Sequence, residues 1–198
     1  MKSTGNSVLV RRPKSGRWKN KITAPGGMEF YTTPNNKYEA QDIAYWGEVY
    51  AAPDQLKNGD PCDVKVGDKV YFQYTAFFNK PVMDDDIYQM DYDLIFCRVR
   101  DKEITAVGRW VLLKPLEMKE SMGVLINPFT TMSKNVSEVC FISPRVELKT
   151  EDGDIERGDF VMIDGERAAF ENEIEGEKYY CTRYHNIQML WQSETLVK

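Results

Sequence analysis

Apolar residues in this chain come in short runs, each closed by a turn-forming residue. Val8-Leu9-Val10, Val49-Tyr50-Ala51-Ala52, Val70-Tyr71-Phe72 and Leu94-Ile95-Phe96-Cys97 punctuate the first half. Val111-Leu112-Leu113, Val139-Cys140-Phe141-Ile142, Phe160-Val161-Met162-Ile163 and Ile187-Gln188-Met189-Leu190-Trp191 punctuate the second. Gly, Pro, Asn and Asp bound the runs, and almost no 3.6-residue spacing accompanies them, so the pattern predicts short β-strands rather than helices. The clearest element is Asp63-Val64-Lys65-Val66-Gly67-Asp68-Lys69-Val70-Tyr71-Phe72, which reads as a strand, a Gly-Asp turn and a strand. Asp154-Ile155-Glu156-Arg157-Gly158-Asp159-Phe160-Val161-Met162-Ile163 repeats it in the second half.

Three further landmarks recur in the same order. Gly47-Glu48-Val49-Tyr50-Ala51-Ala52-Pro53 matches Ser137-Glu138-Val139-Cys140-Phe141-Ile142-Ser143-Pro144. Val8-Leu9-Val10-Arg11-Arg12-Pro13 matches Trp110-Val111-Leu112-Leu113-Lys114-Pro115, and the strand from Leu94 to Val99 matches that from Ile187 to Trp191. Four landmarks at nearly constant offset define an internal repeat. The boundary falls in the charged stretch Asp101–Thr105, giving two domains, residues 1–103 and 104–198. Each has several short strands with turn signals, which predicts an all-β fold of two small, closed or nearly closed barrels.

Composition narrows the function. Hydrophobic residues make up 42% of the 198 and charged residues 29%, enough to build a core. No apolar run reaches the roughly 20 residues that cross a bilayer, and the start of the chain lacks a signal-peptide pattern, so a cytoplasmic protein without a membrane partner is expected. Cys62, Cys97, Cys140 and Cys181 form no C-x-x-C pair, and His185 is the single histidine, so neither a zinc site nor any other cofactor is expected. Basic and acidic residues balance over residues 1–103, and the net charge of −5 resides in the second half, which argues against nucleic-acid binding. The basic segment Arg17-Trp18-Lys19-Asn20-Lys21, the run Asp84-Asp85-Asp86 and the acidic stretch from Glu171 to Glu177 read as solvated loops. No P-loop, dinucleotide fingerprint, G-x-S-x-G or Cys–His arrangement is present, and the chain is not expected to be an enzyme.

Each copy resembles the co-chaperonin (GroES) family over nearly its whole length. The residues that carry the resemblance are the basic end of the first strand (Val8-Leu9-Val10-Arg11-Arg12), a glycine-flanked aliphatic triplet in the loop that follows, a Gly-Glu-Val strand at Gly47, and Val64-Lys65-Val66-Gly67-Asp68-Lys69-Val70. In the second copy the specific match runs from Lys114-Pro115-Leu116-Glu117 to Ser121-Met122-Gly123-Val124-Leu125-Ile126. The resemblance implies a co-chaperonin that caps a GroEL-type chaperonin and leaves nucleotide hydrolysis to it. The implied chaperonin-binding residues are Gly123, Val124, Leu125 and Ile126 in loop two and Gly26, Gly27, Met28 and Phe30 in loop one. An aliphatic triplet on a polar, glycine-rich loop suits groove binding, and a ring of weak contacts gains by multivalency.

The two loops are unequal, since Glu29 stands in loop one where an aliphatic residue is expected. The second copy carries Ser137 in place of the Gly and Arg157 in place of the apolar residue before Gly158-Asp159. The resemblance further implies a homo-oligomeric ring, joined by the first strand of one barrel and the last strand of its neighbour as edge strands. The implied interface is Val8, Leu9 and Val10 with Leu94, Ile95 and Phe96 in copy one, and Val111, Leu112 and Leu113 with Ile187, Met189 and Leu190 in copy two. The alternative is a ring-forming structural or assembly protein, for example viral, that keeps the fold without chaperonin activity.

Overall fold

The computed structural model describes residues 5–13, 21–23, 29–31, 46–73, 82, 86–115, 136–144, 149–150, 153–163 and 169–191. The chain divides into two compact units, Met1–Glu103 and Ile104–Lys198. The strands of the first half are β1 (Ser7–Arg11), β2 (Lys21–Thr23), β3 (Glu29–Tyr31), β4 (Trp46–Ala51), β5 (Lys69–Phe72), β6 (Ile87–Asp91) and β7 (Ile95–Arg100), and β8 (Glu103–Ala106) straddles the division. Those of the second are β9 (Trp110–Pro115), β10 (Val136–Ile142), β11 (Lys149–Thr150), β12 (Gly153–Asp154), β13 (Phe160–Ile163), β14 (Ala169–Ile174), β15 (Glu177–Arg183) and β16 (Ile187–Trp191). The fold is all-β, with two six-stranded antiparallel sheets ordered β6-β1-β4-β5-β7-β8 and β14-β15-β9-β10-β13-β16. Hairpins β2-β3 and β11-β12 stand as separate two-stranded pieces. Among the described residues neither six-stranded sheet closes on itself: its two end strands are not paired with one another.

Five strands of each sheet follow one order. β6-β1-β4-β5-β7 in the first corresponds to β15-β9-β10-β13-β16 in the second. The irregularities coincide as well. Tyr50 is the extra residue between the pairs Leu9–Ala51 and Val10–Val49, and Cys140 is the extra residue between Leu112–Phe141 and Leu113–Val139. Phe96 is skipped between Tyr71–Cys97 and Phe72–Ile95, as Gln188 is between Met162–Met189 and Ile163–Ile187. A bulge bends its strand and raises its twist, so matching bulges give the two sheets matching curvature.

The Gly-Asp turns repeat atom for atom. Gly67 (φ +89) and Gly158 (φ +95) occupy the left-handed region that a side chain disfavours. The Asp68 side chain accepts from Lys65 N at 2.7 Å, and Asp159 accepts from Glu156 N at 2.7 Å. Gly67 N donates to Val49 O and Val49 N to Asp68 O, both at 2.9 Å. Gly158, Val139 and Asp159 make the same two bonds at 2.8 Å. Both aspartates are buried, which such satisfied bonding permits. In the first unit Asp68 also receives the Arg100 guanidinium, Nε to Oδ1 and Nη2 to Oδ2, each at 2.7 Å. That hydrogen-bonded pair raises the Arg100 pKa further above its ordinary value.

Before the last strand of each copy lies one 3-10 turn, Tyr92–Leu94 or Tyr184–Asn186. Tyr92 N donates to Asn6 O at 2.7 Å, and Tyr184 N to Arg109 O at 3.2 Å. Cross-strand register fixes the first strands: Ser7 lies opposite Asp91, and Trp110 opposite Arg183. Ser7 therefore corresponds to Trp110 and Val8 to Val111, one residue away from the sequence expectation that matched Val8 with Trp110. An unbroken aliphatic run does not set its own frame, because shifting it by one leaves the pattern unchanged while exchanging the faces.

The core of the second unit is Val111, Leu113, Val139, Ile155, Val161 and Ile163, with Ile142, Ala169, Tyr180, Tyr184 and Ile187 packed against it. In the first unit Val8, Val10, Val49, Val70, Phe72 and Ile95 are fully withdrawn from solvent. A satellite cluster of Leu9, Ala51 and Ile87, with Tyr50 beside it, lies apart from the larger core. Gly47 shows why the first unit needs glycine there: a Cβ would stand 2.4 Å from Val10 Cγ1 and 2.7 Å from the Arg11 carbonyl oxygen. The stretch Glu171–Glu177, expected to be a solvated loop, is a hairpin instead. β14 and β15 pair from Ala169–Thr182 to Ile174–Glu177 across a Glu175-Gly176 turn. Glu171 and Glu173 face water while Asn172 and Ile174 are buried, a period-2 pattern that the density of acidic residues masks.

Candidate interaction surfaces

Each candidate binding loop leaves its own sheet after the equivalent strand, β1 or β9. The long connection from β1 to β4 begins after Arg11 and returns beside it, with Arg11 opposite Glu48. The connection from β9 to β10 begins beside Lys114, opposite Glu138. Each foot is basic. Arg11 approaches Asp86 at 3.7 Å and lies over the Tyr50 ring at 4.9 Å. Lys114 donates to Glu177 at 3.1 Å, which holds the lysine pKa up and the glutamate pKa down. The Tyr179 hydroxyl also donates to Glu177, at 3.0 Å. Burial and that bond push the Tyr179 pKa up to about 12. Burial likewise raises the thiol pKa of Cys140, the bulge residue nearby.

Of the candidate loop residues, Gly26, Gly27 and Met28 and, in loop two, Gly123, Val124, Leu125 and Ile126 lie outside the described residues. Phe30 lies in β3 opposite Ile22, with Glu29 opposite Thr23. Loop one therefore contains a hairpin, and Ala24–Met28 is the segment joining its strands.

Candidate interface residues fall mostly on interior strands. Val8, Leu9 and Val10 lie in β1, which is paired with β4 on one side and β6 on the other. Val111, Leu112 and Leu113 lie in β9 between β10 and β15. Leu94 belongs to the 3-10 turn, and Ile95 and Phe96 to β7, which lies between β5 and β8. The expectation that first strands are edges is thus not met: both sides of β1 and β9 are hydrogen-bonded within the chain. What sequence reasoning missed are β6 and β15, whose alternating segments Ile87-Tyr88-Gln89-Met90-Asp91 and Lys178-Tyr179-Tyr180-Cys181-Thr182 carried the signal. β16, with Ile187, Met189 and Leu190, is different. It pairs with β13 and ends its sheet, and among the described residues no strand lies beyond it. Its counterpart β7 has β8 on that side.

The remaining candidates resolve simply. Arg157 is exposed over the Phe141 ring at 5.2 Å, and its counterpart Val66 is 66% exposed, so the arginine displaces nothing from the core. His185 packs edge-on against Tyr184. Cys62, Cys97, Cys140 and Cys181 form no disulfide. Among the described residues no cluster of three His, Cys, Asp or Glu could hold a metal, and no helix is long and apolar enough to cross a membrane. Compared with known proteins, the chain matches no family model and no curated sequence.

Proposed function

We propose that the chain is a tandem co-chaperonin of GroES type, two barrels in one polypeptide, that binds and caps a GroEL-type chaperonin. The observation that supports this reading is the duplicated five-strand order with its two shared bulges: β1 and β4, joined by the connection that contains Met28, are equivalent to β9 and β10, joined by the connection that contains Val124-Leu125-Ile126. Loop two is the principal ligand. Its aliphatic triplet enters an apolar groove of the partner, each contact is weak, and repetition over subunits makes capping firm. Assembly into a ring uses the outer edge of β16, whose backbone groups accept a strand from a second copy in the way β8 lies against β7.

Leu125→Asp tests the proposal. It places an unpaired carboxylate in the groove and abolishes capture by a purified GroEL-type chaperonin with nucleotide present, while the unfolding midpoint stays at the parent value. Met28→Asp weakens capture less, because Glu29 already makes loop one a poor aliphatic ligand. Normal capture by Leu125→Asp overturns the loop-two assignment. A second reading, a ring-forming structural tile without chaperonin activity, is favoured by one observation: loop one is partly built as the β2-β3 hairpin, with Glu29 in a paired strand. An oligomeric parent that no chaperonin captures decides for that reading.

A further inference from the structure

The strands that end the two large sheets are β6, β8, β14 and β16, and they are not alike. β6 carries Asp91, β8 carries Glu103, and β14 carries Glu171 and Glu173. β16, Ile187-Gln188-Met189-Leu190-Trp191, carries no charged residue. Charge on an end strand blunts it against pairing with another strand, and an uncharged, largely apolar end strand calls for cover.

The first unit shows what covers the equivalent edge there. β7 holds β8 on that side, and the two are joined by Asp101 (φ 51) and Lys102 (φ 68), a two-residue turn of the primed type. The ladders carry this arrangement over to the second unit position by position. Arg98 lies opposite Val70 and Leu190 opposite Val161, the counterpart of Val70, so Leu190 stands where Arg98 does. Counting on, Gln192 takes the place of Arg100 and Ser193-Glu194 that of the Asp101-Lys102 turn. Thr195-Leu196-Val197-Lys198 then takes the place of Glu103-Ile104-Thr105-Ala106, which is β8. Residues 192–198 lie outside the described residues, but their sequence suits the place. Thr195 and Val197 are of types enriched in strands. Glutamate is no bar to the turn, since Glu175 holds φ 51 between β14 and β15.

We infer that residues 195–198 form a strand on the outer edge of β16, folded back from it by a Ser193-Glu194 turn. A two-residue turn sets the register, with Thr195 opposite Gln192, Leu196 opposite Trp191 and Val197 opposite Leu190. Apolar residues thus meet apolar residues at both positions beyond the pair next to the turn. The edge cannot hold this strand and a second copy at once. That consequence, unlike the strand itself, rests on the ring reading proposed above: the strand leaves β16 before a neighbour pairs there.

Hydrogen exchange of the full chain, followed amide by amide by NMR, tests the strand. The residues flanking a two-residue turn exchange both backbone bonds, and non-bonded and bonded pairs then alternate along the hairpin. The Thr195 and Val197 amides therefore exchange at least about tenfold more slowly than the Leu196 amide, which points away from β16. Val197→Pro removes one of the two donors and brings Thr195 towards the rate of Leu196. Equal rates at Thr195, Leu196 and Val197 in the parent overturn the inference. Protection that fades on dilution overturns it too, because the covering strand then comes from a second copy. Light scattering tests the consequence separately: Val197→Pro, with its edge freed, has a larger mass than the parent at equal concentration. An unchanged mass, with Thr195 and Val197 protected in the parent, upholds the strand and overturns assembly through this edge.

Discussion

The two units share strand order, bulges and Gly-Asp turns, yet the face of the sheet away from the larger core is built differently in each. Around β9 that face carries Trp110, Leu112, Cys181, Tyr179, Asn172 and Ile174, all at most 5% exposed. Phe170 meets Trp110 edge-on at 6.0 Å, Phe141 meets Tyr179 at 5.8 Å, and Arg183 lies over Trp110 at 4.0 Å. Around β1 the corresponding positions are Ser7 for Trp110, Gln89 for Cys181 and Asp91 for Arg183. There Gln89 donates to Ser7 Oγ at 2.8 Å on an exposed surface, and the apolar share shrinks to Leu9, Ala51 and Ile87. Backbone topology thus tolerates a wholesale change of one face. The local ladders and turns set the path of the chain, and the second face is free to become an aromatic layer or a solvated one.

Exchanging residues between the units puts that contrast at risk. The largest effect is expected from Trp110→Ser, which removes a ring only 3% exposed and costs about 3–5 kcal/mol in denaturant unfolding. The reciprocal Ser7→Trp adds a ring to a partly exposed position and changes stability by less than about 0.5 kcal/mol. Equal effects from the two would show that the faces are not built differently. Next comes Gly47→Ser, which gives the first unit the residue of the second. Its Cβ meets the Arg11 carbonyl oxygen, an atom that moves only with the backbone, so a loss of about 2–3 kcal/mol is expected. Ser137→Gly loses about 1 kcal/mol, because no close approach demands glycine there.

The smallest effect is a pH dependence peculiar to the second unit. Tyr179 has its pKa raised to about 12 in the folded chain, above the ordinary value of 10.0, so the fold favours the neutral phenol. Its contribution is complete below pH 10 and is lost as pH rises towards 12. The unfolding midpoint should therefore fall across that interval, and Tyr179→Phe should flatten the fall. The counterpart in the first unit, Ile87, does not titrate, so the drop belongs to the second unit's transition.

Local chemistry was legible in the sequence, and neighbour relations were not. The Gly-Asp turns could be read directly because each is closed within four residues by its own aspartate. β14 escaped notice because four glutamates between Glu171 and Glu177 hide the alternation that buries Asn172 and Ile174. The place of β1 inside its sheet was invisible for another reason: its second neighbour, β6, lies some eighty residues further along the chain, and no local pattern records such a pairing. The loop triplets rest on resemblance alone, since an aliphatic run after glycine looks the same whether it packs in a strand or docks on a partner.

That distant pairing of β1 with β6 also sets an order of events during synthesis. Ser7 cannot meet Asp91 until Asp91 has left the ribosome, which at about 5–20 residues per second is on the order of ten seconds after Ser7 itself appears. Throughout that wait one side of β1, with Val8, Leu9 and Val10, stays open to other chains, and its closure then depends on a contact of high sequence separation.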